Sequence, residues 1–461
     1  MTAGLTAPRT VRTVRDLTGP RGMPVFGNLP ELLLGRDEHR AFNRWADRHG
    51  PTYLMRYGRD RVVVTGDGPT VSAALRDRPD GFRRVGVNKI FRELGIDGVF
   101  NAEGDRWRHL RKMAAQSLNA AYLREYFTSI TRSATRLQTR WTASSGRPVD
   151  VLDDMMRFTL DVTTALAIGH DLNSLEATGD GLHTRLAELF PEIGRRIQAP
   201  FPYHRFVRLP RDRRRESAVR EVDALVRIAH VQAKERMATG ASPRTFLEAL
   251  AVGPDFTHEE LVGNVMTMLL AGEDTTSSSA AWTLHYLATH PEAQERVRQE
   301  ALAAFGPDGM PTDPSSIRKL EFAEACVNEA MRLRPVAPTA GLRALRDTVL
   351  PGTDHDLKVP RGTSLILLLS YGAESVPDAD EFRPERWLGG NPPPASAPLL
   401  PFGAGPRFCP GRNLALLEAT LVAALACRDF TITPGGGRVK EKLAFAAFPK
   451  GLRLRITTVN S

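Results

Sequence analysis

The sequence predicts a mainly α-helical protein with a small β region, organised around one long central helix. Three observations lead to this fold class. From Trp107 to about Leu250, apolar residues recur at three- and four-residue spacing, the period of a helix buried along one face. From Thr257 one helical stretch runs to Pro291, about 33 residues or roughly 50 Å at 1.5 Å per residue, enough to cross a protein body. Residues 336–370 turn to β character, most clearly in the run Ser364 to Leu369. The strands do not alternate with helices, which argues against a doubly wound parallel sheet.

Taken in chain order, residues 1–18 are expected to form a flexible tail. Residues 19–461 are expected to form a single domain with no fused reductase and no membrane anchor. Gly19 to Asn28 is punctuated by Pro and Gly and cannot be helical. Tyr53 to Val64 is rich in Val and Tyr with Gly at its turn, a short β region. Thr257 and Glu260 form a capping box at the start of the long helix, and Pro291 ends it or opens the next. Inside that helix, Ala271-Gly272-Glu273-Asp274-Thr275-Thr276 breaks the helical rules. Gly, Asp and Thr are poor choices for a helix interior, so the run predicts a local opening of the hydrogen bonding and a functional site. The bland alternative is a polar helix face continuing through Ser277, Ser278 and Ser279.

Composition bounds the function. The chain has 461 residues, 42% hydrophobic and 25% charged, which excludes disordered and collagenous classes. The net charge of +9 would suit nucleic acid, an anionic membrane or an acidic protein. The one local cluster, Arg205, Arg208, Arg211, Arg213, Arg214 and Arg215, reads as a solvated face, so no nucleic acid is expected. Arg outnumbers Lys and Ala is abundant, a pattern of GC-rich coding that suggests a bacterial source. The three cysteines, Cys326, Cys409 and Cys427, form no CxxC pair, and their odd number argues against a disulfide framework. A cytoplasmic location is expected. Arg9, Arg12 and Arg15 are followed by no apolar region, so the N-terminus reads as neither a signal peptide nor an anchor.

The richest segment is Pro401-Phe402-Gly403-Ala404-Gly405-Pro406-Arg407-Phe408-Cys409-Pro410-Gly411. Its Gly and Pro residues fix a tight backbone just before a helix. Pro410 suits the first helical turn, and Leu414, Leu417, Leu421 and Leu425 make a buried stripe. A cysteine at the positive end of a helix dipole has its thiol pKa lowered toward thiolate. A merely structural cysteine would not need Phe402, Gly405, Arg407 and Gly411 at fixed offsets.

This segment resembles the haem loop of the cytochrome P450 family, FxxGxRxCxG, with every defined position matched. The resemblance extends in order along nearly the whole chain. Glu329-Ala330-Met331-Arg332 matches ExxR, Phe382 to Trp387 resembles the PERF-type segment, Trp107 and Arg111 match WxxxR, and Ala271 to Thr276 matches the oxygen-activation motif. The resemblance implies the P450 fold, its long helix crossing haem b (iron protoporphyrin IX), with Cys409 as the axial ligand. Phe402 would pack beside the sulfur, and Gly405 and Gly411 would let the backbone approach the porphyrin. Arg407, Trp107, Arg111 and Arg343 would hold the haem propionates, with Arg346 a near competitor of Arg343. Pro401, Gly403, Ala271, Gly272, Thr275 and Ala415 would also touch the cofactor. Glu329, Arg332 and Arg386 would form a structural network.

The implied activity is insertion of one oxygen atom from O2 into an apolar or amphipathic small molecule, in natural-product, terpenoid or lipid metabolism. Asp274 would relay protons through water, and Thr275 would hold the bound oxygen by a hydrogen bond. Phe100, Ala271, Ala337 and Phe445 would line the substrate pocket. An acidic ferredoxin or flavodoxin with its NAD(P)H reductase would supply electrons, docking near Arg108, Lys112 and Arg412. Alternatives are a P450-fold enzyme of oxidative coupling, peroxygenation or isomerisation, and a non-enzymatic haem sensor.

Overall fold

A computed structural model describes residues 10–459 apart from 36–37, 86, 119, 178–188, 199–205, 207–209, 252–255, 307–308 and 390–398. It is mainly α. Thirteen strands lie among the described residues: β1 (Val11–Thr13), β2 (Thr52–Tyr57), β3 (Asp60–Thr65), β4 (Phe82–Arg84), β5 (Pro148–Asp150), β6 (Thr339–Ala344), β7 (Thr348–Leu350), β8 (Asp356–Val359), β9 (Ser364–Leu368), β10 (Phe430–Pro434), β11 (Lys440–Leu443), β12 (Ala447–Lys450) and β13 (Arg453–Thr458). By its packing the chain divides into two compact units that interleave in sequence. One comprises Met1–Gly86, Ala337–Glu381 and Pro393–Cys409; the other comprises Val87–Val336, Phe382–Pro392 and Pro410–Ser461. Among the described residues no helix is long and apolar enough to cross a membrane.

The first unit is built on a five-stranded sheet ordered β2-β3-β9-β6-β4. The pairing β3 to β9 is parallel and the others are antiparallel. Alternation sorts its residues. Val63, Leu342, Leu365, Leu367 and Phe82 join one core, while Tyr53, Met55, Val62, Val64 and Leu368 join another with Phe42 and Trp45. The expected tail is partly ordered. Val11–Thr13 pairs in parallel with β8, and Val14–Asp16 forms a 3-10 turn closed by a Thr13–Asp16 capping box. Leu17 is buried in the sheet's core, so a strand and an anchor replace a loose end. Residues 1–9 lie outside the described residues.

The second unit centres on the helix His258–Thr289. Its start is the expected capping box: Thr257 Oγ1 accepts the Glu260 N–H at 3.3 Å, and Glu260 Oε2 accepts the Thr257 N–H at 3.2 Å. The helix Pro291–Phe305 follows with Pro at its first turn. The predicted local opening is absent, and the helix runs unbroken through Ala271 to Thr276. Its hydroxyls explain this. Thr275, Ser279 and Thr283 each donate back to the carbonyl four residues earlier, at 2.8–2.9 Å, so the side chains are satisfied without competing for the ladder. The helix Val151–Ile168 packs alongside, with Thr159 Oγ1 within 3.4 Å of the Glu273 carbonyl oxygen. The helix Arg412–Asp429 is buried on every side from Leu416 to Arg428, wider than the predicted leucine stripe. Of the arginine cluster, Arg205 and Arg208 lie outside the described residues, and Arg213 is exposed on the helix Pro210–Ala238.

Candidate functional site

The three cysteines differ sharply. Cys326 and Cys427 are buried, and Cys409 is only half-buried. Burial pushes the Cys427 thiol up to about 12. It raises the Cys326 thiol strongly too, with Cys427 as a further cause. Neither supplies a thiolate near neutral pH.

The Cys409 loop is held by its own backbone. The Cys409 N–H donates to the Phe402 carbonyl at 2.9 Å, and the Phe408 N–H to the Gly405 carbonyl at 3.0 Å. Gly405 has φ +69°, and a Cβ there would lie 2.5 Å from the Leu75 carbonyl oxygen. That glycine is required by the neighbouring helix Gly68–Arg76 of the same unit, a reason different from the expected approach to a porphyrin. Pro410 lies in a turn, because the following helix begins at Arg412 with Gly411 as its cap residue. The proline therefore shapes the turn instead of the first helical residue. Pro401, Phe402, Gly403 and Arg407 of the loop are half-buried, as are Gly411 and Ala415 at the start of the next helix.

In the same unit Arg346 is engaged elsewhere: its Nη2 lies 2.6 Å from Asp77 Oδ1. Arg343 is exposed on β6, in register with Arg83 of β4. Of the two competing arginines, Arg343 is the one left to meet an anion. Ala337 is exposed just ahead of β6.

In the second unit the long helix is buried along most of its length, yet Ala271 is exposed and Gly272 and Thr275 are half-buried. This is an opening in an otherwise covered surface, walled by small side chains. Behind it, Gly272 lies against Thr163, where a Cβ would come within 2.6 Å of the hydroxyl. Thr276 is buried, so Thr275 presents the hydroxyl nearest the opening. Asp274 is buried, and its Oδ2 accepts the Ala446 N–H at 3.1 Å. Burial raises its carboxyl to about 7, against the opposing pull of that N–H. Glu273 beside it is raised well above the carboxylate range by burial, then by Asp274 and Asp153.

Trp107 and Arg111 sit one turn apart on the helix Gly104–Ser117. Trp107 is buried with Ala102 and Leu110, and Arg111 is half-buried. Phe100 stacks on Phe91 at 5.1 Å, and Phe445 closes the cluster at 5.5 Å from Phe91 and 5.7 Å from Phe100. Phe91 was missed by sequence reasoning, although it carries the other two rings. Its only signal is an apolar position on a short helix.

Glu329 is the hub of a buried network. Arg332 donates to both its oxygens, Nε to Oε2 at 2.9 Å and Nη2 to Oε1 at 2.8 Å. Arg386 Nε reaches Oε1 at 3.2 Å. Two further donors were not anticipated: the Arg383 N–H at 3.0 Å and Trp387 Nε1 at 2.9 Å. Together they hold the Glu329 carboxyl below its ordinary range against burial.

These residues fit an iron porphyrin by their chemistry. In the first unit a half-buried cysteine, Cys409, suits a soft metal ligand, and Arg343 and Arg407 suit a carboxylate arm; in the second unit the small side chains at Ala271 and Gly272 suit a flat apolar ring, and Arg111 suits a carboxylate. Comparison with known proteins agrees. A family model described as Cytochrome P450 matches residues 17–453. The chain is 29% identical to cytochrome P450 734A6 of Oryza sativa subsp. japonica, over 84% of this chain and 76% of that one. It is also 29% identical to the mitochondrial 25-hydroxyvitamin D-1 alpha hydroxylase of Homo sapiens, over 95% and 91%. Against a self-sufficient cytochrome P450 monooxygenase of Penicillium expansum it is 28% identical, spanning 97% of this chain and 43% of that protein.

Proposed function

The chain belongs to the cytochrome P450 family, matched over residues 17–453, and we propose that it oxidises an apolar or amphipathic small molecule of natural-product, terpenoid or lipid metabolism. Membership makes it a haem-dependent monooxygenase that needs a redox partner. The observation that carries the site assignment is the contrast among the cysteines: two are buried with raised thiols, and the motif cysteine is half-buried.

When bound, haem supplies the oxygen chemistry, and thiolate donation favours O–O cleavage. Cys409 would hold the iron through its thiolate. Arg407, Trp107, Arg111 and Arg343 would hold the propionates, and Pro401, Phe402, Gly403, Gly411, Ala415, Ala271 and Gly272 would border the ring. Asp274, with a carboxyl near neutrality, takes protons from water and passes them on, and the Thr275 hydroxyl orients the delivery. Phe100, Phe445, Ala271 and Ala337 contact the substrate. Glu329, Arg332 and Arg386 are structural.

The electron donor in this reading is an acidic ferredoxin or flavodoxin with its NAD(P)H reductase, supported by the net charge of +9. A bacterial, cytoplasmic setting is supported by the Arg-rich, Ala-rich composition and the scarcity of cysteine. The intact Asp274–Thr275 pair favours a monooxygenase over a pure peroxide user. The test begins with a spectral-shift screen of diverse compounds against ferric enzyme. Each hit is then assayed for NAD(P)H and O2 consumption with a ferredoxin and with a flavodoxin. Hits that drive consumption and gain one labelled oxygen atom from O2 support the reading. Tight binding without consumption would indicate a sensor, and oxidation without oxygen gain would indicate coupling.

A further inference from the structure

The turn joining β11 to β12 touches the aromatic cluster and the acid of the long helix at adjacent residues. Phe445 contributes the ring that meets Phe91 and Phe100. The next residue, Ala446, donates its backbone N–H to Asp274 Oδ2 at 3.1 Å. We propose that this turn couples occupancy of the aromatic site to proton delivery: a ligand pressing on Phe445 withdraws the Ala446 N–H and releases the Asp274 carboxyl. The inference rests on the reading of Asp274 as the proton-relay acid and adds Ala446 as a positioning residue acting through its backbone.

The geometry makes the turn a suitable transmitter. It is three residues long, closed by the Ala444 N–H donating to the Ala446 carbonyl at 3.0 Å. With so short a loop, moving Phe445 must move the amide that follows it. The flanks are fixed. The Ala447 N–H donates to the Val336 carbonyl at 2.8 Å, and Gly194 of the helix Leu189–Gln198 faces the Ala444 backbone, where a Cβ would lie 2.9 Å away. Displacement is thereby confined to Phe445 and Ala446. Ala444 and Phe445 are half-buried, whereas Ala446 is fully buried, and of the turn's residues Phe445 is the one whose ring meets the aromatic cluster.

The consequence for Asp274 has a definite sign. The Ala446 N–H stabilises the carboxylate and occupies one of its oxygens. Its removal favours the protonated form and frees the carboxyl to turn. The ionisable groups near the acid are Glu273 beside it and, across from Glu273, Asp153 of the helix Val151–Ile168. Both are acidic, so neither replaces the lost donor. Asp274 gains a proton from water when the turn moves and gives it up on relay, leaving no net change. An empty site would hold the relay back and limit futile reduction of O2.

The test uses ferric holoenzyme and two ligands that bind haem iron: imidazole, which is small, and 4-phenylimidazole, which carries an aromatic ring. Binding of each is read from the Soret shift. The Asp274 band is identified in the infrared spectrum by its loss in Asp274→Asn and is titrated with pH. The expected result is a midpoint about one pH unit higher with 4-phenylimidazole than with imidazole, the tenfold change of one hydrogen bond. Phe445→Ala should abolish the difference, and Phe445→Leu should retain it. An equal midpoint with both ligands, or a difference that persists in Phe445→Ala, overturns the proposal. Should Phe445→Ala fail to fold, the contrast between ligands in the native enzyme still decides. The relay reading fails separately, if Asp274→Asn turns over at the native rate.

Discussion

Arg332 grips Glu329 at two points, 2.9 Å from Nε to Oε2 and 2.8 Å from Nη2 to Oε1, with the carboxylate fully buried. Removing one partner strands the other charge away from water. Glu329→Ala, which leaves Arg332 without its counter-ion, is expected to cost about 3–5 kcal/mol of stability, the usual loss for a broken buried pair. Arg386→Ala should cost less, because Arg386 is partly exposed and supplies one of five contacts. Thermal inactivation and haem retention of the two variants, measured together, check the order.

Asp274 gives the enzyme a pH signature. Its carboxyl titrates ordinarily at 3.8 and in the fold at about 7. Between these values the folded chain holds a proton that the unfolded chain releases, so this group's stabilising contribution falls as pH rises through the window. Asp274→Asn should therefore gain stability over the native enzyme on going from about pH 5 to about pH 8. A constant difference would contradict the raised value. In turnover, Asp274→Asn should be slow and lose any pH limb near neutrality. Thr275→Ala should bind haem and substrate but divert NAD(P)H into hydrogen peroxide. Thr276→Ala should not, since Thr276 is buried and Thr275 borders the opening.

The three aromatic rings separate packing from recognition. Phe91 is fully buried, so Phe91→Ala is expected to cost about 3–5 kcal/mol, the price of a core cavity. Phe100 is half-buried, so Phe100→Ala should cost less and change the site of oxidation instead. Ala337→Phe should also shift products with little change in melting temperature. Unchanged products in Phe100→Ala and Ala337→Phe would remove both residues from the substrate-contacting set.

What the sequence made legible followed from local chemistry. The capping box at Thr257 needs only residues three apart, and its hydrogen bonds are present. The Glu329–Arg332 pair is one helical turn, and those side chains meet. The less legible features depend on distant backbone. Ala446 acts on Asp274 through an amide N–H, which no side-chain pattern can announce. Gly405 is fixed by the Leu75 carbonyl, far away in the chain. The ordering of Val11–Thr13 depends on pairing with β8, whose partner cannot be read from a polar N-terminus. The uninterrupted helix at Ala271–Thr276 shows that poor helix formers can be accommodated in a buried helix, with the Thr275 hydroxyl bonding back to the Ala271 carbonyl.

The docking reading predicts a salt effect. Lys112, Arg412 and Arg108 are all exposed, and Arg108 is paired with Asp105 at 2.6 Å. Lys112→Glu should slow reduction by an acidic ferredoxin more than Arg108→Glu does, and Arg412→Glu should slow it too. Reduction of the native enzyme by the ferredoxin should slow as salt rises, because exposed charges are screened beyond about 10 Å at 0.1 M. Stopped-flow rates across a salt series check this, and a salt-independent rate would count against charge-steered docking.

The central claim is that Cys409 ligates the haem iron, and the reduced carbon monoxide complex tests it most directly. The native enzyme should give the red-shifted Soret band of thiolate ligation. Cys326→Ser and Cys427→Ser should keep that band, since both thiols are buried and raised. Cys409→Ser should lose it while the folded chain persists. A Cys409→Ser protein that retains the band, with loss of the band in Cys326→Ser or Cys427→Ser, would contradict the assignment.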